Sequence, residues 1–365
     1  MSQDRKKIIQ ILNPRKVWLP VLISLAFVVY KLATDEKFSI TNLGLISQAS
    51  FFPVFLAGLM LVIRELAYIY RIRFLSNNQL SLTASSYIIL LWEFASAVTP
   101  SVVGGTPVAV FLMMKEGISL GKSLAFAMVT AIFDNLYLVL LSPVFYLMYY
   151  NEIGNLDLGT GGINTLRAVF YISYALILFY TFIMSFSLFY RPRWFKWLLI
   201  KLTSFKWTKR WRHAAYMHGN EVMVASQELR GMSKAYWWRI SYTTFISWTS
   251  RFLLLNILIM AFISVNIQEH VIVFGKQVVL WVFMLASPTP GSSGTAEIGF
   301  QHIFDALLGT YTPINVVIWR LLTYFAFLIA GVILLPRWIK RVFITPKKVD
   351  EEQEPVESGD LQGHY

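Results

Sequence analysis

Four ionisable residues stand inside long apolar stretches of this 365-residue sequence: Asp134, Arg251, Glu297 and Arg320. A charge at mid-bilayer costs about 2.5–3.5 kcal/mol on insertion scales, so each of them needs a partner or water. Their types define the chemistry on offer. Arg251 and Arg320 present planar forks that match a phosphate, while Glu297 and Asp134 suit a cationic group, a proton, or the orienting of the arginines. The same four residues also read as structural ion pairs fixing a helix bundle, and spacing leaves both readings open. Ser292, Ser293 and Thr295 have hydroxyls, but no motif places a histidine to activate one, so they read as small residues that let backbone approach closely. His213 and His218 lack metal-ligand spacing. Cysteine is absent, which removes disulfides and thiolate chemistry, and neither a metal nor a cofactor is expected.

The elements that must position these groups are interrupted ones. Residues 287–300 read Ser-Pro-Thr-Pro-Gly-Ser-Ser-Gly-Thr-Ala-Glu-Ile-Gly-Phe between two apolar runs. Prolines remove backbone donors and glycines favour irregular backbone, so a continuous helix is not expected. Within a bilayer such a break persists only where it is buried in protein or lines a wet cavity. A second break, residues 95–107, repeats the pattern Thr-Pro, small residues, Gly-Thr. Paired interruptions in two halves of a chain point to the binding site of a repeat-built transporter. Thr289, Pro290, Gly291 and Gly294 in one break, and Thr99, Pro100, Gly104 and Gly105 in the other, therefore join the four charges as candidate substrate-binding positions. Half-helix N-termini at Gly294 and Gly105 are expected to offer amide donors to the same anion.

Composition sets the environment. The chain is 56% hydrophobic and 14% charged, with a mean hydropathy of +0.56, which excludes an ordinary water-soluble globule. The net charge of +12 is concentrated beside apolar runs, so it reads as positive-inside bias and attraction to anionic lipid rather than nucleic-acid binding. The pattern predicts an all-α membrane protein with about six crossings (about 17–33, 49–70, 122–149, 166–190, 238–265 and 314–335) and two broken re-entrant hairpins, 84–114 from the cytoplasmic side and 271–308 from outside. Residues 1–16 form a basic cytoplasmic segment and 17–341 the transmembrane domain. Repeat one is 49–149, repeat two is 238–336, and the two are inverted; 342–365 is a disordered cytoplasmic tail. Both termini lie in the cytoplasm, and the location is a cell (inner) membrane. Arg64 and Glu65 fall near a membrane end and are expected to snorkel. The basic loop 191–237, extending to Arg239, interleaves Trp194, Trp197, Trp207 and Trp211 with Lys and Arg. It reads either as a segment lying on anionic inner-leaflet lipid or as a solvated loop that only sets topology.

Residues 287–297, the later Ile318-Trp-Arg320-Leu-Leu-Thr-Tyr324 with Gly331, and Thr99-Pro100 through Gly104-Gly105 with Gly117-Ile118-Ser119 resemble the lysylphosphatidylglycerol synthase transmembrane-region family, also described as flippase-like. The resemblance spans roughly residues 17–341. It implies a lipid-translocating membrane module, found alone or fused to a catalytic domain. Two departures stand out: the family often has an acid followed by Arg where this chain has Asp134-Asn135, and no aminoacyltransferase domain follows Arg341.

Three functions follow as expectations. The first is translocation or binding of an amphipathic lipid, anionic or aminoacylated, with membrane phospholipid or a lipid-linked substrate as the partner and no catalytic residues. The second is the membrane subunit of a lipid-modifying enzyme such as an aminoacyl-phospholipid synthase. The third is a polar-solute or ion-coupled carrier with a central pocket too small for acyl chains.

Overall fold

The computed structural model describes residues 44–99, 105–148, 163–205, 207–285, 287 and 289–344. The expected first crossing, most of the loop 151–164, Pro100, Gly104 and the acidic tail lie outside these residues.

The described chain is helical throughout. Helix α1 (Phe51–Leu75) leads through a polar turn to α2 (Leu82–Val98) and α3 (Thr106–Lys115), and α4 (Leu120–Met148) follows. After α5 (Ile163–Ser185) and a π turn at Phe186–Tyr190 come α6 (Pro192–Leu202) and α7 (Arg212–Arg230). The chain continues as α8 (Lys234–Ile259), α9 (Ile267–Leu285), α10 (Thr295–Leu308) and α11 (Thr312–Arg320). A π turn at Leu321–Phe325 then joins α11 to α12 (Ala326–Ile339).

Local sequence fixes the ends. The Ser81 hydroxyl caps α2 by accepting from the Ala84 amide, and Ser233 caps α8 by accepting from Tyr236. Proline opens α3, α6 and α11, where its missing N–H costs nothing.

Among the described residues, five helical stretches are long and apolar enough to cross a membrane: Phe51–Leu75, Leu120–Met148, Phe170–Tyr190, Ile267–Leu285 and Thr295–Phe343. Two details differ from the expected spans. Helix α9, expected as a short hairpin piece, has 19 residues and qualifies as a crossing by itself. Helix α8 has 26 residues, but the buried Thr243, Thr244, Ser247 and Ser250 make it less apolar along the face that packs into the bundle. By contrast, Phe51, Phe55, Leu59, Val62, Leu66 and Tyr70 are exposed at spacings of three and four along α1, a lipid-facing stripe.

The packing has an internal correspondence. Exchanging α1 with α8, α2 with α9, α3 with α10, and α4 with the α11–α12 unit maps the contacts onto one another. The α1–α8 pair maps onto itself. The α2–α12 contact maps onto α9–α4, α2–α3 onto α9–α10, and α3–α4 onto α10–α11. Each broken hairpin is therefore held against the other half's last helix. One apolar core gathers the first hairpin with α1, α4 and α12, and a second gathers α8, α9, α10 and α11.

Candidate functional site

The backbone between α9 and α10 is held by its own hydroxyls. The Thr289 hydroxyl donates to the Ser293 carbonyl at 2.8 Å, the Ser292 hydroxyl donates to the Met284 carbonyl at 3.0 Å, and Ser287 Oγ lies 3.0 Å from Thr295 Oγ1. The Ser292 bond satisfies a carbonyl freed where α9 stops, and the other two tie the loop to itself and to the start of α10. Gly291 adopts φ +55°, and a Cβ there would sit 2.1 Å from the Tyr324 ring and 3.1 Å from the Ala97 carbonyl. Only glycine allows this approach, and it places the second break directly against the end of α2, where the first break begins.

Arg320 and Glu297 lock that arrangement. Arg320 Nε lies 2.7 Å from Glu297 Oε1, both side chains deeply buried. The Arg320 fork also donates to the Gly291 carbonyl at 3.2 Å from each terminal nitrogen and to Ser293 Oγ at 3.2 Å, with the Tyr324 ring 4.2 Å away. The other Glu297 oxygen accepts from the Gly294 amide at 2.6 Å. The donor expected at the α10 N-terminus is thus already taken. The Gly105 amide likewise donates to Ser96 Oγ at 3.0 Å, and the Thr99 hydroxyl donates to the Ala95 carbonyl at 2.8 Å. The Gly105 and Gly294 amides are thus both bonded within their own halves.

A cavity of about 250 Å³ lies where the breaks meet. Glu93, Ser96 and Ala97 of α2 line one side and Gly291 and Ser292 another; Arg251, Gln277, Arg320 and Thr323 add polar groups, and aromatic and aliphatic side chains such as Trp281, Met284 and Phe327 make up the rest. Its two guanidinium groups differ. Arg320 is committed to the break. Arg251 is held between indoles, 4.9 Å from the Trp248 ring and 4.3 Å from the Trp281 ring, and its Glu93 neighbour is 3.6 Å away, beyond hydrogen-bond reach. Arg251 is the cation with capacity to spare.

Asp134 goes elsewhere. It does not line the cavity; it accepts from Arg71, with Nη2 3.1 Å from Oδ2, and from the Trp248 indole at 2.7 Å. Its role here is an ion pair tying α4 to α1 and α8. Arg64 and Glu65 also depart from the expectation that they snorkel: they are 2% and 8% exposed. Arg64 pairs with Glu93 and, through Nη1 at 2.9 Å, with Glu65. Helix α1 continues past these residues to Leu75, which carries them into the bundle.

Sequence reading missed Glu93, Ser96, Gln277 and Trp281 as cavity residues. Glu93 carried a usable signal, since it stands alone in the apolar run of α2 and an intramembrane carboxylate is a site candidate by default. It also missed Glu116, which accepts from the Trp338 indole at 2.8 Å and from Arg341, closing the first hairpin against the end of α12.

Comparison with known proteins identifies the chain's family. The family described as "Lysylphosphatidylglycerol synthase TM region" matches residues 17–331, and the chain belongs to it. A "UPF0104 membrane protein" of Archaeoglobus fulgidus is 23% identical over 330 residues, covering 86% of this chain and 94% of that protein. No solved structure matches the chain significantly.

Proposed function

We propose that this family member binds the anionic headgroup of a membrane lipid in the central cavity and carries it between leaflets by rocking one half against the other. The reading rests on a single observation: an arginine with no close hydrogen-bond acceptor, Arg251, faces a cavity built where two interrupted hairpins meet. An anion there replaces Glu93 as the partner of Arg251, while Arg320, Glu297 and the Thr289–Gly294 backbone hold the shape of the site. The cavity volume of about 250 Å³ lies near the low end of the roughly 300–1,000 Å³ usual for small-ligand sites. It admits a headgroup and leaves acyl chains outside in the bilayer.

In this reading the inverted repeats are 49–149 and 238–336, with both termini cytoplasmic. The α6–α7 region rests on the inner leaflet: Trp197, Phe205, Trp207 and Trp211 are exposed, Lys201 lies 4.7 Å from the Trp197 ring and Arg210 4.4 Å from the Trp211 ring. Exposed indoles beside cations suit an anionic headgroup layer. The cavity volume also supports a second reading, a carrier of a small polar anion with no lipid tail.

The two readings separate in proteoliposomes. Labelled phosphatidylglycerol should cross faster with the protein present, and Arg251→Ala should remove the acceleration. Unchanged rates in that variant would count against the cavity as the translocation site. Uptake of deacylated glycerophosphoglycerol without lipid movement would favour the solute carrier, and lipid modification seen only with a soluble partner would favour an enzyme subunit.

A further inference from the structure

Behind the cavity the arginines and carboxylates form a chain of which the headgroup reading uses only the cavity end, Glu93 and Arg251. Glu65 and Arg64 of α1, Glu93 of α2 and Arg251 of α8 follow one another: Glu65 to Arg64 Nη1 at 2.9 Å, Arg64 to Glu93, and Glu93 to Arg251 at 3.6 Å. Only Glu93 and Arg251 line the cavity. With both glutamates ionised, the cluster carries two positive and two negative charges and is neutral.

The two carboxylates are held differently. Glu93 accepts a hydrogen bond from Arg64 and faces Arg251. Glu65 is 8% exposed, and neither of its oxygens accepts a well-formed hydrogen bond; its direct ion-pair contact is with Arg64. The charged groups around Glu65 are Arg64, Glu93 and Arg251. The Leu321–Phe325 turn packed on α1 contributes no charged side chain, and the Tyr68 and Phe327 rings cover Arg64 at 5.3 and 5.1 Å.

We infer that Glu65 is a proton-binding site coupled to anion binding at Arg251. The inference rests on the proposed occupancy of the cavity by an anionic headgroup. When a monoanionic phosphodiester takes Arg251, Glu93 keeps Arg64, and the cluster acquires one net negative charge inside the bundle. An uncompensated buried charge is costly, so the weakest-held carboxylate takes up a proton from water and becomes a neutral acid. Anion and proton then enter together, and movement of the loaded state carries no net charge. By linkage, a proton that favours anion binding is itself favoured by the anion.

The test is calorimetric titration of the detergent-solubilised whole chain with a short-chain phosphatidylglycerol, run at one pH in Bis-Tris and in Tris. Their different ionisation enthalpies report protons taken up on binding. The wild type should take up about one proton per lipid, the balance required by charge neutrality, and Glu65→Gln should bind the lipid with no uptake. Infrared difference spectra should show a carboxylic-acid band on binding in the wild type and no such band in Glu65→Gln. Binding without uptake in the wild type, uptake that persists in Glu65→Gln, or failure of the lipid and of glycerophosphoglycerol alike to bind would each overturn the inference. If Glu65→Gln does not fold, the wild-type uptake still decides. Linked uptake with glycerophosphoglycerol as well as lipid assigns the site to the headgroup; uptake with lipid alone assigns it to the intact lipid; and both support the coupling. Absent lipid movement in proteoliposomes beside intact linkage would sink the translocation reading and leave the proton-coupled site standing.

Discussion

Glu297 bridges the second break and α11: one carboxylate oxygen accepts the Gly294 amide at 2.6 Å while the other sits 2.7 Å from Arg320 Nε. The same guanidinium holds the Gly291 carbonyl and Ser293 Oγ, each at 3.2 Å. A loop that a membrane would otherwise not tolerate is thereby tied to α11 by one planar cation. The pair thereby sets the shape of the break.

Removing one partner of this pair should therefore act on stability first. Breaking a buried pair typically costs about 3–5 kcal/mol, so Arg320→Met and Glu297→Leu should each lower the thermal transition sharply. The double variant should lose less than the sum. Arg320→Lys should not rescue, because a point charge cannot make the contacts to Glu297, Gly291 and Ser293 together. Thermal unfolding in detergent checks this, and additive losses would contradict it.

Arg251 should behave in the opposite way. Its nearest carboxylate is 3.6 Å away and its side chain is 16% exposed, so Arg251→Gln should shift the thermal transition little. Binding of short-chain phosphatidylglycerol should weaken at least tenfold, corresponding to about 1.4 kcal/mol. A variant with wild-type affinity would remove Arg251 from the anion site.

Gly291→Ala should damage the junction between the breaks. The new methyl would meet the Tyr324 ring at 2.1 Å and the backbone would keep φ +55°, an overpacking cost of about 1–3 kcal/mol. Combining it with Tyr324→Leu should recover part of that loss, since the ring clash goes and the backbone strain stays. Thermal shifts of the single and double variants measure the recovery, and none at all would mean that the ring is not the obstacle.

Much of this architecture is legible in the residues, and the reason is physical. Pro290, Gly291 and Gly294 interrupt an apolar run in a way that no continuous helix accommodates, so the break between α9 and α10 announces itself locally. Helix positions follow from apolar length and from basic flanks. Partners do not. Arg64 finds Glu93 at a separation of 29 residues, and Asp134 finds Arg71 at 63; spacing along one helix carries no trace of either. Asp134 looked equivalent to Glu297 because both are lone acids in apolar helices. The packing of α4 against α1 and α8 is what sends it to Arg71 and Trp248. Arg64 and Glu65 looked peripheral because Arg71 and Arg73 follow them closely, yet Arg71 is itself 2% exposed. The buried part of α1 thus runs further along the chain than charge alone suggests.

The last prediction concerns how the halves sit in the membrane. The exchange of α1–α4 with α8–α12 preserves the contacts, and the proposed inversion requires the two hairpins to enter from opposite faces. The α1–α2 turn, with Asn77, Asn78 and Gln79 exposed, then lies on the cytoplasmic side, and the α10–α11 turn at Gly309–Tyr311 lies outside. The chain has no cysteine, so Gln79→Cys and Thr310→Cys each give a single reporter without further engineering. In intact cells a membrane-impermeant maleimide should label Thr310→Cys and not Gln79→Cys, and lysis should expose the second. Labelling of both from one side would mean that the hairpins share a face. Two hairpins on one face cannot be related by a two-fold axis in the membrane plane, and alternating access by rocking of inverted halves would then have no structural basis.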